Sequence, residues 1–212
     1  MAEDVAVTRL VDAVRALFVA AADSGGALGN AARFAVDNVD WAGRRHRIEP
    51  VRHSVADSDL ARACASTGPR GSLSHAVATA MRAAADRIEW QAYYADRAHE
   101  PDMAAFSRRF AATTLIGADA PLPSDKVSAG LSLQAAGAYY PPHAHDAEEC
   151  YWVVGGDGDW KIDSDPWFPV RVGDSIHHPS RMLHAMQTNR QPMLTVWLWS
   201  SHLDSEVLII RG

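Results

Sequence analysis

The stretch HAHDAEECYW, beginning at His143, gathers four chemically able side chains. His143 and His145 are two residues apart, so on a strand both rings leave the same face. Glu149 and Tyr151 share that parity, whereas Cys150 and Trp152 take the other. Imidazoles and a carboxylate on one face are the donor types of a transition-metal site, and a phenol beside them can move a proton. The competing reading is a polar stretch on an exposed strand. Parity selects Glu149 over Glu148 and leaves Cys150 structural; Cys64, in a helical stretch, is structural too.

Such a face needs strands around it, and the second half of the chain supplies them. Short apolar runs at Val127–Gln134, Glu149–Val154, Asp159–Asp163, Val170–Val172, Met193–Ser200 and Glu206–Ile210 alternate with turn signals. Pro121, Pro123 and Ser124-Asp125 mark a loop, and Gly173-Asp174 a turn. Gly155-Gly156-Asp157-Gly158 predicts a hairpin. Ile88–Tyr94 is aromatic enough for a strand, and Met103–Ile116 fits helix or strand equally. Many short strands at close spacing predict a sandwich or small barrel.

The first third reads differently. Val7, Leu10, Val11, Val14, Leu17 and Phe18 recur at helical steps, and Ser24-Gly25-Gly26 ends the pattern. A second helix is expected after Ser72, with Leu73, Val77, Met81, Ala84 and Ile88 on one face, and a short one over Asp57 to Cys64. The expected organisation is a helical extension over residues 1–87 packing on a barrel domain over 88–212. These amphipathic helices are compatible with a homodimer.

Composition excludes several classes. Hydrophobic residues make up 48% of the 212, enough for a core. The net charge of −6 and the lack of a Lys/Arg block speak against nucleic acid; Arg44-Arg45-His46-Arg47 reads as a solvated turn. Two distant cysteines form no disulfide framework or cysteine-rich zinc motif, which fits a reducing cytoplasm. The acidic start, Met-Ala-Glu-Asp, is unlike a signal peptide, and no apolar run approaches the roughly 18 residues of a membrane helix.

The spacing extends to a longer motif. Gly137, His143, His145, Glu149 and Gly156 stand as G-x5-HxH-x3-E-x6-G, which resembles the first motif of the cupin family. Gly173, Pro179 and His184 match the second cupin motif, G-x5-P-x-G-x2-H-x3-N. Arg181 stands where a glycine is expected, and Asn189 comes one residue late. The resemblance implies a fold that is mainly β with N-terminal helices: a cupin double-stranded β-helix (jelly-roll) barrel. It also implies that His143, His145, Glu149 and His184 bind one divalent transition metal in the barrel mouth. Zinc, iron(II) and manganese are the leading identities, with nickel or cobalt also accommodated. His177 and His178 precede Pro179, and only one of them can face inward.

Within the cupins, the wording AGLSLQAAGAYYPPHAHDAEECYWVVGGDGDW resembles the dimethylsulfoniopropionate (DMSP) lyases of the cupin type, in particular the longer members with a helical N-terminal part. Their Tyr-x-x-His-x-His-x-x-x-Glu-x-Tyr stretch stands here as Tyr140, His143, His145, Glu149 and Tyr151. The resemblance implies a β-elimination splitting DMSP, a small zwitterionic sulfonium carboxylate, into acrylate and dimethyl sulfide. A base must remove a weakly acidic proton α to the carboxylate while the metal stabilises the developing charge. Tyr151 is the best-placed base, and Tyr140 is the second candidate or a substrate-orienting group. Aromatic faces would hold the sulfonium by cation–π attraction; Tyr139, Trp160 and Trp197 (or Trp199) are the candidates. Two other readings remain. One is a different cupin enzyme, either a dioxygenase or isomerase or a lyase acting on another small carboxylate. The other is a non-catalytic cupin.

Overall fold

The computed structural model describes residues 4–211; the start at residues 1–3 lies outside them. Four helices come first: α1 (Val5–Ala22), α2 (Gly26–Asn38), α3 (Ser54–Ala65) and α4 (Leu73–Ala84), with a short α5 (Pro101–Ser107) leading into the strands. The strands are β1 (Phe110–Gly117), β2 (Leu122–Pro123), β3 (Ser128–Gln134), β4 (Tyr139–Ala144), β5 (Glu149–Ile162), β6 (Phe168–Arg171), β7 (Ser175–His178), β8 (His184–Gln187), β9 (Met193–Trp199) and β10 (Leu208–Ile209).

Helices α1, α3 and α4 start where side chains cap them. Asp4 Oδ1 accepts from Ala6 N at 2.9 Å, His53 Nδ1 from Val55 N at 3.2 Å, and Ser72 Oγ from His75 N at 3.2 Å. The expected stripe is buried in α1; in α4 Val77, Met81 and Ala84 are buried, Leu73 at the first turn is exposed, and Ile88 is buried beyond the helix end. Helix α2 was not expected, because its buried face is Gly29, Ala31, Ala32 and Ala35. Such small residues give no hydrophobic periodicity to read. None of the described helices is long and apolar enough to cross a membrane.

The sheet turns on β5. Its first part pairs with β7 and β9, and its last part with β6 and β8. The strand order β10-β4-β8-β5-β9-β3-β1-β2 follows, with β6 and β7 also on β5. These two interleaved antiparallel halves sharing one long strand form the cupin double-stranded β-helix. The fold is mainly β with N-terminal helices, as the motifs implied.

The expected hairpin at Gly155–Gly158 is absent: β5 runs through it. The glycines serve close approach instead. A Cβ on Gly155 would meet the Ala63 carbonyl of α3 at 2.5 Å, and one on Gly156, where φ is +71°, would meet the Pro192 carbonyl at 1.7 Å. A bulge between Val153 and Gly155 marks the bend. Ile88–Tyr94 is likewise not a strand. It makes only isolated bridges, Val51 to Glu89 and Gln91 to Ala112, and Tyr94 has φ of 66°. Met103–Ile116 divides between α5 and β1.

Alternation along β5 separates two cores. Tyr151 and Val153 face the barrel interior with Phe106, Phe110, Tyr140 and Met186. Cys150, Trp152 and Val154 face outward into the helical layer, where Phe18 of α1 lies 5.2 Å from Trp152 between ring centroids. Past the bulge the parity reverses, so even-numbered Trp160 points inward.

Gly156 supplies a test of this packing. Gly156→Ala combines a left-handed backbone with a collision against Pro192, and should lower the unfolding free energy by at least about 2 kcal/mol. Chemical denaturation monitored by circular dichroism measures this; an unchanged midpoint would mean that the close approach is not needed.

Candidate active site

The barrel registers bring the expected residues together. Glu149 begins β5 and lies opposite Trp199 of β9 and His178 of β7. His143 of β4 pairs with His184 of β8, and His184 pairs with Ile162 of β5. His145 follows directly after β4. All four histidines and Glu149 are buried.

Each of three imidazoles is oriented by a backbone carbonyl. Nδ1 of His143 donates to Pro141 O at 2.8 Å, that of His145 to Ala147 O at 3.0 Å, and that of His184 to Met182 O at 2.9 Å. A carbonyl only accepts, so Nδ1 carries the proton in each ring and Nε2 is the nitrogen turned toward the site. Glu149 Oε2 lies 3.0 Å from His145 Nε2 and 3.5 Å from His184 Nε2. Its other oxygen, Oε1, accepts from the Trp199 indole N–H at 2.7 Å.

The electrostatics follow from burial and neighbours. Burial alone raises the Glu149 pKa, but the hydrogen bond with His145 and the nearby imidazoles of His178 and His184 outweigh it and hold the carboxyl well below its usual range. Burial depresses His145, yet the Glu149 carboxylate reverses this and its pKa rises. His143 is driven well below its usual value by burial and by His184. Tyr140 and Tyr151 are pushed well above the phenol range, first by burial; Glu149 adds to this at Tyr151.

The donor set fits a divalent cation. The ligand atoms of His145, Glu149 and His184 lie within 4.8 Å of one another. His184 Nε2 is buried with no hydrogen-bond partner, as a nitrogen reserved for a metal would be. A cation between His145 Nε2 and Glu149 would substitute for the proton they otherwise share. His143 stands outside this trio, with its ring stacked on Tyr140 at 3.7 Å and 4.0 Å from the His184 ring.

His143, His145 and Glu149 line a cavity of about 460 Å³, whereas His184 does not reach its wall. Tyr140, Tyr151 and Trp197 line it as expected, together with Trp199, Tyr93, Tyr94 and Phe110. Two expected contacts do not. Tyr139 is 46% exposed and lies against Trp167, because the bulge at Pro141–Pro142 shifts β4 by one residue and turns Tyr140 inward in its place. Trp160 is fully buried behind Tyr151, its ring centroid 5.1 Å away. A larger groove of about 770 Å³ at the start of α1 is lined by Arg44, Arg45, Arg47 and Arg87 and shares none of these residues.

Some site residues went unread in the sequence. Tyr94 hydrogen-bonds the Tyr140 hydroxyl from a segment outside the barrel, and no local pattern announces it. His178 was read only in part: the sequence allowed just one of His177 and His178 to face inward, and the structure selects His178. His177 instead bonds Glu148 on the outside at 2.7 Å. Arg181, which replaces the motif glycine, keeps the left-handed backbone of that position with φ of 65°. It repays the exception by binding Asp146 at 2.6 Å and by donating its backbone N–H to His145 O.

Comparison with known proteins places this site in a family. The DMSP lyase (dimethylsulfoniopropionate lyase) family model matches residues 32–195. The chain is 31% identical over 159 residues to dimethylsulfoniopropionate lyase DddQ of Ruegeria pomeroyi, covering 75% of this chain and 73% of that protein. The crystal structure of DMSP lyase DddQ from Ruegeria pomeroyi superposes with a TM-score of 0.75 at 27% identity, over 98% of this chain and 97% of that one. A further crystal structure, described as DMSP lyases RdDddP and RnDddQII, shares the fold with a TM-score of 0.73 at 24% identity, over 97% and 98% of the two chains. The likeness thus runs through the helical layer as well as the barrel, and the chain belongs to the DMSP lyase family of carbon–sulfur lyases.

Proposed function

We propose that the protein cleaves DMSP to acrylate and dimethyl sulfide by metal-dependent β-elimination, with Tyr151 as general base. The observation that carries this reading is the division of the cavity. One end carries His145 and Glu149, and the same carboxylate faces the buried His184 at 3.5 Å. The walls are aromatic, with Trp197, Trp199, Tyr94 and Phe110, and no Lys or Arg lines it. A zwitterion with a carboxylate and a sulfonium suits such a pocket. The sulfonium meets aromatic faces and Asp204. The carboxylate finds no side-chain cation other than an imidazolium, so a bound metal would be its partner.

A divalent cation held by His145, Glu149 and His184, with His143 as the neighbouring imidazole, supplies Lewis acidity toward the substrate carboxylate and a positive charge beside the phenols. Tyr151 then takes the proton from the carbon α to the carboxylate. The C–H electron pair becomes the new C=C bond, and the β C–S bond breaks with its pair leaving on sulfur as neutral dimethyl sulfide. The high Tyr151 pKa is consistent with this assignment: without a cation, burial and Glu149 keep the phenol protonated, so the base would be poised only in the loaded site. Tyr140, bonded to Tyr94 and stacked on His143, orients the substrate.

Headspace dimethyl sulfide from metal-loaded protein incubated with DMSP tests the reading directly. Gas should form equally without oxygen, which separates a lyase from a dioxygenase; a folded, loaded protein that releases none would refute the proposal. Tyr151→Phe should lower kcat by about 10²–10⁴-fold while retaining metal. Metal analysis of purified His184→Ala and Glu149→Ala should show the bound ion lost, with circular dichroism unchanged. Full retention in both would move the metal elsewhere.

A further inference from the structure

His178 ends β7, directly across the register from Glu149. Its ring is fully buried, and its neighbours fix how it sits. The Trp160 indole N–H, which can only donate, reaches His178 Nε2 at 3.0 Å. Nε2 therefore carries the lone pair, and the ring proton resides on Nδ1. That Nδ1 lies 3.5 Å from Glu149 Oε2, buried and without a partner at full hydrogen-bond distance. The ring also stacks on His184, with centroids 3.8 Å apart and planes 21° from parallel.

We infer that His178 is a positioning residue: Trp160 locks its tautomer, and the resulting Nδ1–H steers Glu149 Oε2 toward His145 and His184. The inference rests on the proposed role of Glu149 as a metal ligand. Trp199 holds Oε1 from one side at 2.7 Å, so the carboxylate is set between two N–H groups from different strands. The same tautomer keeps His178 out of the ligand set. A protonated nitrogen has no lone pair to give, and stripping its proton while Trp160 occupies Nε2 would require an imidazolate. This also explains an indole placed where it cannot touch substrate: its N–H acts through the imidazole.

The test uses the full chain and zinc alone, with affinity read by competition against a chromophoric chelator. His178→Asn places an amide N–H near the position of Nδ1 and should bind zinc within about threefold of the parent. His178→Leu removes the donor and should weaken zinc binding by about 10–100-fold. Two-bond ¹H–¹⁵N correlation spectra of the unsubstituted protein should show His178 protonated at Nδ1 and not at Nε2, before and after zinc loading. This measurement needs no variant to fold. Equal weakening by Asn and Leu, or loss of the Nδ1 proton on loading, would overturn the inference and make His178 a structural residue or a ligand. Glu149→Gln separates the two layers. If it leaves zinc affinity unchanged, the ligand reading fails and this one with it. If it weakens binding while both His178 variants match the parent, the positioning role alone fails.

Discussion

A carboxylate withdrawn from water must find donors in the protein, and Glu149 is withdrawn almost completely. It is 3% exposed and ionised. Removing one partner of a buried charge costs about 3–5 kcal/mol, a large fraction of a domain's stability. The partners of Glu149 come from β7, β8, β9 and the residue after β4. No pair of neighbouring strands could collect them. The barrel has to close before Glu149 is compensated, so the requirement for this charge and the requirement for this topology are one condition.

Two bulges, one in β4 and one in β5, carry much of the rest. In a regular strand, parity fixes every side chain once one is known. At Pro141–Pro142 the register slips, so Tyr140 points inward where plain alternation from His143 would send Tyr139. At Val153–Gly155 the slip lets one strand serve both halves of the barrel and delivers Tyr151 and Trp160 to the same interior. A strand without these irregularities would present its aromatic residues to the wrong side at one end.

This defines what could be read beforehand. Alternation within β5 is a local property, so type and spacing sufficed for the inward Glu149 and Tyr151 and the outward Cys150 and Trp152; His145, past the end of β4, came with the motif. The motif glycines pointed to the cupin barrel. The glycine run at 155–158 misled, since turn chemistry and close backbone approach ask for the same residue and only the partner backbones, Ala63 and Pro192, tell them apart. Helix α2 was silent because alanines pack closely without a hydrophobic stripe. Tyr94 and the Trp160–His178 contact are tertiary facts: each joins segments whose meeting depends on the whole barrel.

The alternation along β5 also governs sulfur. Cys150 has no exposure and faces the helices, where burial drives its thiol far above the ordinary range. Cys64, near the end of α3, is pushed up to about 11, again chiefly by burial. Neither lines the cavity. Acrylate, the olefin of the proposed reaction, is an electrophile that alkylates thiolates and spares neutral, shielded thiols. The fold thus separates its own nucleophilic sulfur from the place where the electrophile would be born, and the catalyst would be resistant to inactivation by its product.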